Sequence, residues 1–426
     1  MRILLIIIKF TGIVLLYILS GLVLTALFVG GLFLTNGAMS GYIAFAATLI
    51  IAGFWAWFLF RRSETTGGFL LRSLPSLIAV GIVTWAMIPL PQHDFSGIVA
   101  DERFEFLDLE NDRIAAVARF TPEDEIAPRG KTIVFVHGGP GAYLRDFDLD
   151  FIAAFSEDGF DVLTYDQIGA GRSSIIDTKG YSHQGNVSDL NKILGHIDTP
   201  VILIGQSYGA ALVTSFLDSF GHEHDISHII LTEPGPLPGA DYSTSDDKTT
   251  KAENAEGLSI PDILRSPRII LAFLLPASNR FSDQEELLNF ISPGKQKKAV
   301  ATSYCAQHSD QMLPFEHHRV NLLATRIIMD SFLEAETPDL TAIESPVMML
   351  LGECSYIPRN YALDYFDHFS ITRSHLIRDV GHILWATPEG RSLTHESILR
   401  FIDGKEPILE NKPTIETRDQ FFESGL

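Results

Sequence analysis

Val201-Ile202-Leu203-Ile204-Gly205-Gln206-Ser207-Tyr208-Gly209-Ala210 is the stretch on which the fold turns. Its first four residues are apolar, which predicts a short buried strand over 201–204. From 210 to 220 apolar side chains recur at helical spacing, so a helix follows almost at once. Between the two stands G-x-S-x-G, which in a strand–turn–helix setting marks a serine raised on a sharp, strained turn. Small residues two before and two after Ser207 keep that turn clear of the neighbouring strand and helix. The hydroxyl is thereby set at a helix amino terminus, where the dipole favours developing negative charge. Ser207 is the candidate nucleophile.

Working outward, short apolar runs at 132–136, 161–165, 228–231, 347–351 and 375–377 alternate with helical stretches. That alternation predicts a mostly parallel sheet of α/β type, with ligands beyond the carboxyl ends of the strands. Upstream, the alternation around Phe104 and Phe106 and the run 114–120 flank the turn-prone Glu110-Asn111-Asp112, which reads as a β-hairpin. Residues 234–345 have no strand character, and a structureless loop of that length is improbable inside a domain. A helical cap is expected there, with helices over 262–275 (broken at Pro267), 283–291 and 320–333. The core then comprises residues 92–233 and 346–404, and a polar tail follows over 405–426.

The amino-terminal 91 residues differ in kind. They hold five Lys/Arg and one Glu, leaving 27 basic and 52 acidic side chains for the rest of a chain whose net charge is −21. Apolar stretches at 3–34, 41–60 and 74–90 are of membrane-spanning length or close to it, and the first is too long for a signal peptide. Three transmembrane helices are expected. Arg2, Arg61, Arg62 and Arg72 then fall on one side, which should be cytoplasmic, and the remainder of the chain emerges on the opposite side. The acidity beyond residue 91 argues against nucleic acid as a partner. Two cysteines, Cys305 and Cys354, are too few for a disulfide framework or a Cys-rich metal site. A bond between them and two free thiols are both compatible with the sequence.

The run 132–136 is followed by His137-Gly138-Gly139-Pro140-Gly141. A tetrahedral intermediate needs backbone N–H donors aimed at its oxyanion, and glycines let the main chain approach closely. The N–H groups of Gly139 and of Tyr208, the residue after the serine, are the expected pair. His137 reads as a loop-ordering imidazole. Together with Gly205-Gln206-Ser207-Tyr208-Gly209 and Asp166-Gln167-Ile168-Gly169-Ala170-Gly171-Arg172-Ser173, this loop resembles the proline iminopeptidase branch of the α/β hydrolases. Ile168 departs from the Arg usual in that segment. The resemblance spans roughly residues 100–400 and implies an α/β-hydrolase fold, a supporting role for Asp166, and hydrolysis of an amide or peptide with a free amino terminus.

His382, in Asp379-Val380-Gly381-His382, matches the family's general base and lies just past the last expected strand. The third member of a triad is displaced. Where the family carries an Asp, Leu351-Gly352-Glu353-Cys354-Ser355 puts Ser355, which cannot hold an imidazolium as a carboxylate does. Two acids are candidates: Glu233, at the end of the run 228–231, and the nearby Glu353. Glu233 is preferred, because some α/β hydrolases place their acid at that strand end. No cofactor is expected. His222-Glu223-His224 and Glu316-His317-His318 lack the i, i+4 pairing of a helical zinc site, so no metal is expected either. Asn186-Val187-Ser188 fits a glycosylation acceptor. A carboxylesterase or lipase acting on a lipid-derived ester, and a binding or signalling module that has lost turnover, are the alternatives.

Overall fold

The computed structural model describes residues 100–239 and 319–405, with isolated positions at 46, 47, 50, 54, 81, 288, 304 and 305. By internal contacts the chain divides into two units: residues 1–93 with 257–290, and residues 94–256 with 291–426. All that follows concerns the second. Apart from those isolated positions, the three apolar stretches, the expected helices at 262–275 and 283–291 and nearly all of the tail lie outside the described residues. Among the described residues no helix is long and apolar enough to cross a membrane.

Eight strands form one sheet: β1 (Phe104–Asp108), β2 (Ile114–Phe120), β3 (Thr132–Val136), β4 (Asp161–Asp166), β5 (Val201–Gln206), β6 (Ile226–Thr232), β7 (Val347–Gly352) and β8 (Ile371–Ile377). Their spatial order is β1-β2-β4-β3-β5-β6-β7-β8. The first hairpin is antiparallel and β2 joins β4 antiparallel, while β4 through β8 are parallel neighbours. At the hairpin turn Glu110, Asn111 and Asp112 all have positive φ, a conformation Asn and Asp tolerate better than other side-chain-bearing residues.

β3, β5 and β7 are buried along their whole length because both of their faces are covered. On β3, Val134 and Val136 join one buried cluster with Leu203 and Leu231, while Ile133 and Phe135 join the other with Ile202 and Ile230. The helices that cover them are α1 (Asp146–Ala153), α2 (His183–Leu194), α3 (Tyr208–Phe220), α4 (Leu322–Leu333), α5 (Arg359–His368) and α6 (Pro388–Ile402). Every expected strand is present, most of them longer than the apolar run alone. β8 begins four residues earlier than expected, since Arg373 pairs with Met348 and Ile371 with Val347. A polar Thr-Arg pair hid that part of the strand. The helix expected over 320–333 starts at Leu322 instead, because Asn321 caps it by accepting the N–H of Ala324 at 3.0 Å.

β3 has β4 on one side and β5 on the other, although β4 precedes β5 in the chain. This reversal is the switch point at which doubly wound sheets open a crevice. The loops after β3 and β5 therefore meet at the carboxyl edge, and they are the two glycine-rich loops.

One buried histidine far from those loops sets a pH limit on the fold. His375 on β8 has no hydrogen-bond partner for either ring nitrogen among the described residues, and burial lowers its pKa from 6.5 to about 4. The unfolded chain takes up this proton first, so the stabilisation is complete above about pH 6.5 and is lost as the pH falls toward 4. A His375→Leu variant should escape this loss: between pH 7 and pH 5 its unfolding free energy should fall by up to about 2 kcal/mol less than that of the wild type. Urea melts at the two pH values measure the difference, and equal losses in both proteins would remove His375 from the account.

Candidate active site

Ser207 follows β5 with φ 56° and ψ −122°, outside the regions side-chain-bearing residues ordinarily occupy. It is held there by its own backbone. Its N–H donates to Thr232 O at 3.0 Å, and its carbonyl accepts from Ala210 and Gly235 at 3.0 and 3.1 Å. The close packing explains both glycines of the motif. A Cβ at Gly209 would collide with the carbonyl oxygens of Val136 and His137, and one at Gly205 would lie 2.7 Å from Ala210 Cα. Tyr208 is the first residue of α3, so its N–H has no carbonyl within the helix to bond.

The loop after β3 lies directly against the serine. A Cβ on Gly138 would come within 2.9 Å of Ser207 Cβ, and Gly139 adopts φ 143°. His137 orders this loop from beneath. Its Nε2 accepts the N–H of Gln167 at 3.1 Å, its Nδ1 lies 2.6 Å from Gly138 O, and Gln167 Nε2 donates to His137 O at 2.7 Å. Burial lowers the pKa of His137, in keeping with a neutral ring.

Asp166 is fully buried and accepts from the N–H groups of Leu144 and Arg172 and from Arg172 Nη1. It braces the loops after β3 and β4 and has no contact with His382. A second brace comes from α4, where Asn321 N donates to Gly141 O at 2.9 Å and Thr325 Oγ1 to Pro140 O at 2.8 Å. The sequence reading missed this grip; an Asn just before an apolar helical run was its only signal.

His382 lies in the loop after β8 and is 5% exposed. Trp385, three residues on, pins that loop by stacking on Phe151 at 4.6 Å and donating to Asp148 Oδ1 at 2.8 Å. Glu233 follows β6 with φ 48° and is 2% exposed. Its Oε1 accepts the N–H of Gly352, and its Oε2 lies 3.5 Å from His382 Nδ1, long for a hydrogen bond but within the range of unliganded sites. Glu353 has a different partner: its Oε2 accepts the N–H of Asp379 at 3.0 Å, tying the loop after β7 to the one that carries His382. Ser355 Oγ accepts the N–H of Ile357.

Two further contacts to the imidazole were not foreseen. Gln206 Nε2 lies 3.2 Å from His382 Nε2, and the ring of Tyr356, itself 37% exposed, sits 4.5 Å from the imidazole centroid. Cys305 and Cys354 form a disulfide, so a residue of the 234–345 segment is bonded to the rim of the site. Asn186 is buried and donates to Tyr208 Oη at 3.2 Å, which removes it as a glycosylation acceptor. Among the described residues no group of His, Cys, Asp and Glu is arranged to hold a metal ion; residues 316–318 lie outside them.

The strained turn at Ser207, the glycine-rich loop against it and His382 beyond the last strand thus gather at the carboxyl edge of the sheet. The Alpha/beta hydrolase family matches residues 133–391, and the chain belongs to it. A proline iminopeptidase of Lactobacillus helveticus is 34% identical over 104 residues, which are 24% of this chain and 34% of that protein. One of Lactiplantibacillus plantarum is 39% identical over 83 residues, 19% of this chain and 28% of its own. The chain thus spans about a third of the length of these relatives. Among solved structures, the thioesterase domain from the curacin biosynthetic pathway is 16% identical with a TM-score of 0.46, covering 70% of this chain and 98% of its own.

Proposed function

We propose that this chain is a serine hydrolase acting through an acyl-enzyme, with Ser207 as nucleophile, His382 as general base and Glu233 as the carboxylate that orients it. The observation that carries this reading is the carboxylate of Glu233 facing His382 Nδ1 at 3.5 Å from the end of β6, next to the strand that bears Ser207. Ser207 Oγ attacks the carbonyl carbon as its proton passes to His382 Nε2. The N–H groups of Gly139 and Tyr208 receive the oxyanion. The scissile bond breaks as Nε2 returns the proton to the leaving amine, and water repeats the sequence to release the acid.

The substrate class is an amide or peptide with a free amino terminus, supported by the motifs and by the partial likeness to proline iminopeptidases. Binding such an amine needs acidic side chains, and the sequence of residues 234–345 carries many. The apolar stretches at 3–34, 41–60 and 74–90 support attachment to a membrane with the hydrolase portion outside the cytoplasm, a side that added protease would reach on intact cells.

A substrate panel on the full-length protein tests the chemistry. Aminoacyl anilides with free amino termini should be hydrolysed, acetylation of the amine should suppress turnover, and acyl esters without an amine should be poorer substrates. Turnover of esters alone would replace the peptidase reading with an esterase, and no turnover of any compound would remove both.

A further inference from the structure

In a serine hydrolase, the atom of the general base that matters is the nitrogen facing the serine. Here that nitrogen has another partner. His382 Nε2 lies 3.2 Å from Gln206 Nε2, and an amide NH2 is a donor, so the imidazole nitrogen it meets is the lone-pair side of a neutral ring. Nδ1 then carries the proton, which is the tautomer that Glu233 can receive. The amide has little room to move. It is 6% exposed, and its oxygen lies against Gly138, where any Cβ would strike it. Gln206 thus spans from the loop after β3 to the imidazole, and it is the residue immediately before Ser207.

We infer that Gln206 is a positioning residue: its amide engages Nε2 of His382 and keeps the ring's proton on Nδ1 until substrate brings Ser207 and the imidazole together. This rests on the serine hydrolase reading above. The groups facing the imidazole are Gln206 at Nε2, Glu233 at Nδ1 and Tyr356 over the ring. Among the described residues, only Gln206 donates to the nitrogen that must accept the serine proton. A donor at that nitrogen favours the neutral ring, so removing it makes the ring easier to protonate.

The test is the pH dependence of covalent labelling of Ser207 by a fluorophosphonate, in the full-length protein and in Gln206→Met, which keeps the length but has no donor. The midpoint of the acid limb should rise by about half to one pH unit in the variant, the worth of one neutral hydrogen bond. A limb that stays in place or moves down overturns the inference, as does a plateau that falls more than about tenfold with the limb unmoved, since that is what loss of packing alone would do. If Gln206→Met does not fold, Gln206→Ala is measured in the same way. Wild-type protein labelled normally alongside an unmoved limb leaves the hydrolase reading standing; wild-type protein that is never labelled at Ser207 overturns both.

Discussion

Ser207→Ala should abolish fluorophosphonate labelling and lower kcat by about 10⁶-fold, the loss seen when the nucleophile of such a triad is removed. The size of the effect follows from what remains. The N–H donors at Gly139 and Tyr208 and the binding surface survive, so catalysis above the uncatalysed rate persists at about 10³–10⁴-fold. Nothing in the fold should change. Alanine carries the same Cβ as serine, and the bonds that hold position 207 run from its backbone N–H and carbonyl. The melting temperature should therefore stay within a degree or two of the wild type's, on the scale of about 2–4 °C per kcal/mol. Labelling that persists in Ser207→Ala would place the nucleophile elsewhere.

Glu233→Gln should lower kcat by about 10⁴-fold, and the cause is specific to the geometry. One carboxylate oxygen accepts the N–H of Gly352 and the other faces His382 Nδ1. Glutamine must keep its oxygen toward Gly352, which turns its NH2 toward Nδ1. The imidazole is then forced to protonate at Nε2, the nitrogen that has to accept from Ser207, and the charge that stabilised the imidazolium is gone as well. Glu353→Gln keeps an oxygen for Asp379 N–H and should change kcat by no more than about twofold, as for a surface substitution. Steady-state kinetics on the two variants decides between the acids. Collapse in Glu353→Gln with Glu233→Gln near wild type would reverse the assignment.

How far the sequence led depended on the range of the physics involved. The elbow around Ser207 was legible because strand, glycines, serine and helix are contiguous. The strands were legible as apolar runs, except where Thr372-Arg373 interrupts the start of β8, which pairs with β7 through Ile371 and Arg373. Of the two candidate acids, chain order favoured neither. What separates them in the structure is that Glu353 turns to Asp379 while Glu233 turns to His382. The contacts of Gln206 and Tyr356 with the imidazole, and the hold of Asn321 and Thr325 on the loop after β3, join residues far apart in the chain. No local periodicity encodes such contacts; they exist only once the sheet has brought the strand ends together. The expectation of membrane attachment rests on composition alone, and nearly all of the residues it concerns lie outside those described.

Ser207 and Glu233 both bear side chains at positive φ, where glycine would sit without strain and other residues cost about 1–3 kcal/mol each. The side chain proposed as the nucleophile thus stands where the backbone itself would favour having none. A library of this protein selected only for resistance to heat should accumulate glycine at 207, where no side-chain hydrogen bond among the described residues is given up, and with it a sturdier molecule that no longer turns over substrate.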